Sequence, residues 1–244
     1  MPVYRMNPRT DACGYCVGIL LLDLRQPFVP GDVGNATSYD YPVLYRTVPG
    51  ASAARVFVGD PDLNDAVVET ARELVDQGVK GISSDCGFFV NFQDLLAEAV
   101  DVPVFLSSLL QLPLVSSFLG RDRTLGVLTA NTTALGNRVL ELSGVSPERE
   151  VVIRGMQDNP HWTAAFKDPA EVVDTDVIER EVVNEAIALQ ETSSRLGAIV
   201  LECSLMPPYA RAVHEATGLP VYDFMSVINL FQRATHQKPC HGIY

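Results

Sequence analysis

"GISSDCGFF" (Gly81–Phe89) decides the fold, because a short apolar run ends there on an acid, a cysteine and a glycine. A second stretch, "GAIVLECSL" (Gly197–Leu205), closes on an acid and a cysteine in the same way. Apolar runs of this length that stop on polar residues are typical of buried strands in a parallel sheet. The two stretches therefore predict two equivalent strand ends, one in each half of the chain.

The match between the two halves extends beyond these strand ends. An offset of 117 residues separates the two cysteines, and the same offset aligns "DVPVFLSSL" (Asp101–Leu109) with "GLPVYDFMS" (Gly218–Ser226). A looser similarity joins "VGILLLD" (Val17–Asp23) to "LGVLTAN" (Leu125–Asn131). Self-similarity at about half the chain length predicts two related lobes around a pseudo-twofold axis.

Short β-rich runs alternate with longer amphipathic segments, which is the pattern of parallel sheets covered by helices. The predicted strands are Val17–Leu24, Arg55–Val58, Gly81–Asp85, Val104–Ser107, Thr124–Thr129, Glu150–Gly155, Ala198–Glu202 and Val221–Phe224. The predicted helices are Pro61–Gln77, Phe89–Ala99, Thr132–Ser143, Thr175–Leu196 and Pro207–Thr217. The segment Gln26–Pro49 is rich in Pro, Gly and Tyr and predicts a long ordered loop.

Composition narrows the classes of function. The net charge of -12 over 244 residues argues against nucleic acid or an anionic membrane as a partner. No apolar run approaches the roughly 20 residues of a membrane helix, and the N-terminus lacks a secretory signal, so we expect a cytoplasmic protein.

The remaining motifs give little support for a metal or a cofactor. Five cysteines do not form a disulfide framework and indicate a reducing compartment. The CxxC of Cys13 and Cys16, with Cys240 near the other end, is a weak signal for zinc. Nucleotide-binding motifs are missing, and no lysine lies in the glycine- or serine-rich phosphate context of a pyridoxal phosphate enzyme. We therefore expect neither cofactor nor metal.

Ligands of parallel α/β sheets bind beyond the carboxyl ends of the strands, where Cys86 and Cys203 lie. Each precedes a predicted helix, whose N-terminal dipole favours a thiolate and would lower the thiol pKa. On opposite walls of one cleft, one thiolate can remove a proton from carbon while the other thiol returns one. A single cysteine at a strand end is more often core packing, but a matched pair favours catalysis. Asp85 and Glu202 either tune these thiols or close a salt bridge.

A small carboxylate substrate needs hydrogen-bond donors. "TANTT" follows a predicted strand and opens a predicted helix, so its backbone and hydroxyls can bind an anion or simply cap the helix. Small residues beside the cysteines, and polar residues of the long loop that could close over the substrate, are weaker predictions. The predicted substrate-binding residues are Ser84, Gly87, Thr129, Asn131, Thr132, Ser204, Arg25, Asn35 and Tyr39.

"SDCGFFVNFQ" (Ser84–Gln93) and "LECSLMPPYARAVHEATGLPVYD" (Leu201–Asp223) resemble the aspartate/glutamate racemase superfamily of cofactor-independent enzymes. The resemblance implies catalytic cysteines at positions 86 and 203, and two similar lobes with parallel four-stranded flavodoxin-like sheets around an active-site cleft. It also implies a homodimer or higher homo-oligomer. We expect one lobe to comprise residues 1–116 and 221–244, and the other residues 117–220.

A closer similarity joins the chain to the dimethylsulfoniopropionate lyases of the same superfamily. It rests on "PGDVGNATSYDYPVLYRTVPG" (Pro30–Gly50), "SSLLQLP" (Ser107–Pro113), "LTANTTAL" (Leu128–Leu135) and both cysteine motifs. The glycine-rich turn that follows the first strand of typical aspartate racemases is missing here, and the loop "LDLRQPFVPGDVGN" takes its place.

Three functions compete at this point. The first is racemisation of a small carboxylate, such as an acidic amino acid, with the two cysteines as an acid–base pair. The second is β-elimination from dimethylsulfoniopropionate to dimethyl sulfide and acrylate, for which one thiol is sufficient. The third is a non-catalytic protein that binds a small ligand, in which the cysteines are packing residues.

Overall fold

Two parallel sheets form from the apolar runs of the sequence, in a computed structural model that describes residues 3, 6–165, 172–237 and 239. The first sheet contains β1 (Val17–Leu21), β2 (Val43–Thr47) and β3 (Gly81–Ser84) in the order β2-β1-β3. The second contains β4 (Thr124–Thr129), β5 (Val151–Gly155), β6 (Leu196–Leu201) and β7 (Val221–Tyr222) in the order β5-β4-β6-β7. The predicted α/β class with two sheets is confirmed.

The internal repeat is present in the strand register. Each half places its first strand between its second and third, and the residues that face each other repeat with the offsets read from the sequence. The equivalent pairs are Gly18–Ile82 with Gly126–Ile199, and Ile82–Val104 with Ile199–Val221. The two halves thus have the same backbone plan.

Helices cover both sheets: α1 (Ala53–Val58), α2 (Asn64–Asp76), α3 (Gln93–Ala99), α4 (Leu112–Phe118), α5 (Asn137–Leu142), α6 (Pro160–Ala165), α7 (Thr175–Glu191), α8 (Ala210–Thr217) and α9 (Phe224–Thr235). In α2 and α7 the buried residues recur every three or four positions and form one apolar face towards the sheet. Asp174 accepts the backbone N–H of Val177 and fixes the start of α7.

One apolar core joins the two halves. It extends from Leu20 and Ile82 in the first sheet, through Phe88 and Leu109, to Val127 in the second. A separate cluster packs the outer side of the second sheet against α7 and α8. The shared core holds the carboxyl ends of the two sheets together, and that arrangement positions the site.

The first sheet differs from the expected four strands. Val104 forms only an isolated bridge to Ile82, so three strands are present where four were predicted. The predicted loop Gln26–Pro49 contains β2, because its run of Val, Leu and Tyr pairs with β1. It also contains a short 3-10 helix at Ala36–Ser38.

The predicted bounds were wrong at several elements, and two of these errors have a clear local cause. The segment Arg55–Val58 was predicted as a strand but lies in α1, since Gly59 adopts a left-handed conformation with φ of 63° and ends a helical turn there. A four-residue apolar run has too few positions to reveal its period. The predicted helix Thr132–Ser143 begins only at Asn137, because the Asn131 side chain accepts the N–H of Thr133 and forms a turn first.

The division into residues 1–116 with 221–244, and residues 117–220, stays a prediction. β7 pairs with β6 in the second sheet, whereas Phe224 and Ile228 of α9 pack with β1 of the first. The end of the chain thus contributes to both halves. No helix in the described ranges has the length and apolar character needed to cross a membrane.

Candidate active site

Cys86 and Cys203 line one small cavity between the carboxyl ends of the two sheets. Cys86 follows β3, and Cys203 follows β6, so each occupies the equivalent place in its half. Both side chains are buried. The cavity measures about 10 Å³, which leaves room for the centre of about one water molecule. The structure thus places the two predicted cysteines together in a closed site.

The acids that precede the cysteines make equivalent hydrogen bonds. Asp85 Oδ1 accepts the backbone N–H of Leu22 at 2.9 Å, just beyond β1. Glu202 Oε2 accepts the backbone N–H of Ala130 at 3.1 Å, just beyond β4, and the hydroxyl of Thr129 at 2.8 Å. Among the ion pairs of the described residues, none includes either acid. Through these hydrogen bonds, each acid holds the backbone next to its cysteine against the end of the neighbouring strand.

Both acids line the cysteine cavity and are fully buried. Burial disfavours the charged carboxylate and raises the pKa of Asp85 and of Glu202 to about 7, although their backbone hydrogen bonds act in the opposite direction. Glu202 Oε1 accepts no hydrogen bond from the described residues, so it is the oxygen available for the proton. These carboxyls change charge near neutral pH beside the thiols.

The thiol pKa values move in the direction opposite to the expected one. Backbone N–H groups of Phe88 and Phe89 favour the Cys86 thiolate, as predicted for a helix start. Burial outweighs them and raises the pKa of Cys86 well above its usual value, and the charges of Glu202 and Asp85 add to the effect. Burial likewise raises the pKa of Cys203. In the closed site both cysteines are thiols.

The two halves meet through Gly87, Ser204 and Ser108. The hydroxyl of Ser204 donates to the carbonyl of Asp85, and that of Ser108 donates to the carbonyl of Glu202 at 3.0 Å. A Cβ at Gly87 would overlap Glu202 Oε1 and lie 2.5 Å from the Glu202 carbonyl oxygen. Gly87 therefore allows a close approach between the halves that another residue would prevent.

The other predicted donors near the cavity have protein partners. Ser84 donates its hydroxyl to the carbonyl of Leu106 at 2.6 Å, and Thr129 binds Glu202. Thr132 accepts from the side-chain amide of Gln157 at 3.1 Å. Asn131 lines a neighbouring cavity of about 150 Å³. A role of these residues in substrate binding stays a prediction.

The residues predicted in the long loop hydrogen-bond within that loop. Asn35 donates to the carbonyl of Phe28 at 2.8 Å, and Tyr39 donates to the carbonyl of Val33 at 2.9 Å. Arg25 is exposed and is not among the residues that line the cysteine cavity. For these three residues contact with a substrate also stays a prediction.

Sequence reasoning missed several residues that line the cavities. Phe57 and Ala53 of α1 line both the cysteine cavity and the neighbouring one, and were missed because α1 was predicted as a strand. Gln26 and Asp32 were missed within the long loop. The signal for Asp32 was an acid in a Pro-Gly context, which a turn explains equally well.

The remaining cysteines lie away from this cavity. Cys13 is exposed, whereas Cys16 is buried with its sulfur 3.3 Å from Nδ1 of His236. Cys240 lies outside the described residues. Within the described ranges, no group of three or more His, Cys, Asp or Glu side chains is arranged to hold a metal ion.

Comparison with curated proteins gives the family. The chain is 36% identical over 242 residues to dimethylsulfoniopropionate lyase 7 of Emiliania huxleyi, covering 95% of this chain and 70% of that protein. It is 34% identical over 235 residues to the dimethylsulfoniopropionate lyase of Durusdinium sp. clade D, with coverages of 93% and 77%. The chain belongs to the dimethylsulfoniopropionate lyase family.

Solved structures agree on the fold. Allantoin racemase from Klebsiella pneumoniae matches with a TM-score of 0.61 at 15% identity, over 90% of this chain and 87% of that one. The Gly74Cys mutant of arylmalonate decarboxylase matches with a TM-score of 0.60 at 17% identity, over 93% and 98%. No protein-family model matches the chain. This member of the lyase family is an enzyme with the fold of the aspartate/glutamate racemase superfamily.

Replacement of Gly87 by Ala tests the close approach between the halves. The added Cβ must displace the carboxyl or the carbonyl of Glu202, so we expect a loss of about 1–3 kcal/mol in the free energy of unfolding. Denaturant unfolding measures it. Gly136→Ala is the matched control, since a Cβ there meets nothing within 4 Å and should change stability by less than about 0.5 kcal/mol. Equal losses of unfolding free energy in the two variants would contradict the close contact between Gly87 and Glu202.

The raised carboxyl pKa values predict how stability depends on pH. The folded protein holds protons on Asp85 and Glu202 that the unfolded chain releases near pH 4. The contribution of these two carboxyls to the free energy of unfolding is therefore complete below about pH 4. It is lost as the pH rises towards about 7. We expect Glu202→Gln, which stays neutral, to gain stability relative to the unchanged protein between pH 5 and pH 8. Thermal unfolding across this range measures the difference, and a constant difference would refute the assignment.

Proposed function

We propose that this enzyme cleaves dimethylsulfoniopropionate by β-elimination into dimethyl sulfide and acrylate. The observation that carries the proposal is the pair of buried thiols in one closed cavity lined by carboxyl groups. Similarity to dimethylsulfoniopropionate lyases over 95% of the chain supports it. The sequence had placed racemisation first and elimination second, and the curated relatives favour the second.

The reaction needs a base and a site that favours a cation. A thiolate removes a proton from the carbon next to the substrate carboxylate, and the electron pair of that C–H bond forms the C=C bond of acrylate. The bond from the adjacent carbon to sulfur breaks at the same time, and its electron pair leaves with neutral dimethyl sulfide. The thiol then returns its proton to water. No external oxidant or reductant is involved.

A cationic substrate explains how such buried thiols can ionise. In the closed site, burial and nearby acids raise the pKa of Cys203, and the negative charges of Glu202 and Asp32 contribute to that rise. A sulfonium group placed among these acids offsets their charge and favours the thiolate. The backbone N–H of Leu205 also stabilises it. Substrate binding therefore activates the base.

Cys203 is the base in this proposal. The charge of Glu202 raises the pKa of both thiols, while Asp85 adds to the effect on Cys86 and Asp32 adds to the effect on Cys203. A cation held near Asp32 therefore lies on the side of Cys203. Cys86 lines the same cavity and is buried, so in this proposal it contributes packing at the site. Elimination requires one proton transfer from carbon, so the second thiol need not ionise.

Racemisation is the second candidate, because the two halves place equivalent thiols in one cavity. A racemase removes a proton with one thiolate and returns one from the opposite face with the other thiol. It would depend on both cysteines to a similar degree. The two reactions therefore differ in how they respond to substitution of each cysteine.

Proton NMR of the reduced protein with dimethylsulfoniopropionate tests the proposal. We expect acrylate vinyl signals, with turnover reduced about 10²–10⁴-fold by Cys203→Ser and less than about tenfold by Cys86→Ser. Cys13→Ser is the control, since Cys13 is exposed and is not among the residues that line the cavity.

The same tubes in D2O with L-aspartate, L-glutamate and a hydantoin test racemisation. Loss of the α-proton signal with growth of the other enantiomer, abolished by either cysteine substitution, would replace elimination with racemisation. If no tube shows acrylate or exchange of the α-proton, both proposed reactions are contradicted.

A further inference from the structure

Two buried oxygens that line a cavity next to the cysteines accept no hydrogen bond from the described residues: Gln26 Oε1 and Asp32 Oδ2. Glu202 Oε1 in the cysteine cavity also lacks a donor, and a proton on that carboxyl accounts for it. Asp32 is the clearest case, since its side chain is 1% exposed and only Oδ1 has a partner, the N–H of Gly34 at 2.8 Å. A buried acceptor without a donor is unfavourable. Two of them in one cavity indicate an electropositive ligand.

Asp32 lines a second cavity next to the cysteines. It measures about 10 Å³ and adjoins the first, because Gln26 and Leu205 line both. Its wall carries the aromatic rings of Trp162 and Tyr209. The other lining residues are aliphatic: Val29, Ala165, Val173 and Ile178. A single carboxyl group and the amide of Gln26 thus lie among aromatic and aliphatic side chains.

This lining selects one kind of cation. Aromatic faces attract cations and are used to recognise methylated onium groups. Aliphatic walls pack against methyl groups. A primary ammonium has three N–H donors, and the described lining offers it two free acceptors, Asp32 Oδ2 and Gln26 Oε1, so at least one donor would stay unsatisfied in a buried site. Burial raises the pKa of the Tyr209 phenol to about 12, with the charge of Asp32 adding to it, so the ring stays neutral. A methylated cation fits these walls better than a primary ammonium.

We propose that Asp32 binds the cationic end of the substrate, a methylated onium group, between Trp162 and Tyr209. The closed cavity of about 10 Å³ holds about one water molecule, so binding requires its lining side chains to move apart. This assignment rests on the proposed function for the identity of the substrate, and it names a specificity residue for that reaction. It places the onium group beside Cys203 and directs the carbon chain of the substrate into the adjoining cysteine cavity. The attraction of the cation favours the charged form of Asp32, which burial alone disfavours.

Binding of two isosteric carboxylates tests the assignment without catalysis. The pair is 3-(trimethylammonio)propanoate and 4,4-dimethylpentanoate, which share a shape and differ by one positive charge. Trp162 is the single tryptophan of the chain and lines the cavity, so its fluorescence reports occupancy. We expect the cationic compound to bind at least about tenfold more tightly, which corresponds to about 1.4 kcal/mol. No preference for the cation in the unchanged protein would overturn the proposal.

Asp32→Asn should remove that preference while leaving the affinity for 4,4-dimethylpentanoate, which lacks the cationic group, within about twofold. Asp223→Asn is the matched control, because Asp223 is a buried acid that caps α9 and asparagine caps equally well. A preference that survives Asp32→Asn would also overturn the proposal, as would tighter binding of 3-ammoniopropanoate than of its trimethylated form. Onium binding without release of acrylate would overturn the proposed elimination but leave this site intact.

Discussion

The close approach of the two strand ends is the constraint on which the site depends. Gly87 lies against Glu202, and the Ser204 hydroxyl bridges to the backbone of Asp85 across the two halves. These contacts bring Cys86 and Cys203 into a single cavity, although 117 residues separate them. Since the contacts involve backbone atoms, a side chain at position 87 would move the backbone that positions Glu202 and Cys203.

Burial of two carboxyls at this contact works against stability. Asp85 and Glu202 are held by backbone N–H groups beyond the neighbouring strands, but burial still favours their neutral forms. A site selected only for stability would place apolar residues there. Buried acids beside thiols create instead an environment that favours a positive charge, which is what the proposed sulfonium substrate would require.

The sequence predicted the parts of the fold that rest on long-range repetition. β4 was predicted with its observed bounds, and the two offsets between halves reappear in the strand register. Both cysteines and both acids were found for the same reason, since a matched pair carries more information than one residue. The predictions for short segments were wrong. α1 has too few residues to reveal a helical period, and β2 forms because β1 offers an edge for pairing.

Asp32 could not be found by such reasoning, because its environment comes from elements distant in sequence. Its neighbours Trp162 and Tyr209 belong to the second half of the chain, and no equivalent acid follows from the repeat.

The repeat therefore accounts for the backbone but not for the chemical environment of the two thiols. The two halves repeat in strand order, register and cysteine position, which suits a reaction that treats two faces of carbon alike. The groups around the thiols do not repeat in full, since Asp32 acts on Cys203 and Asp85 on Cys86, and one backbone N–H favours the Cys203 thiolate where two favour that of Cys86. The proposed elimination needs a single proton removed from carbon, so it is a reaction that can use such a difference between the two thiols.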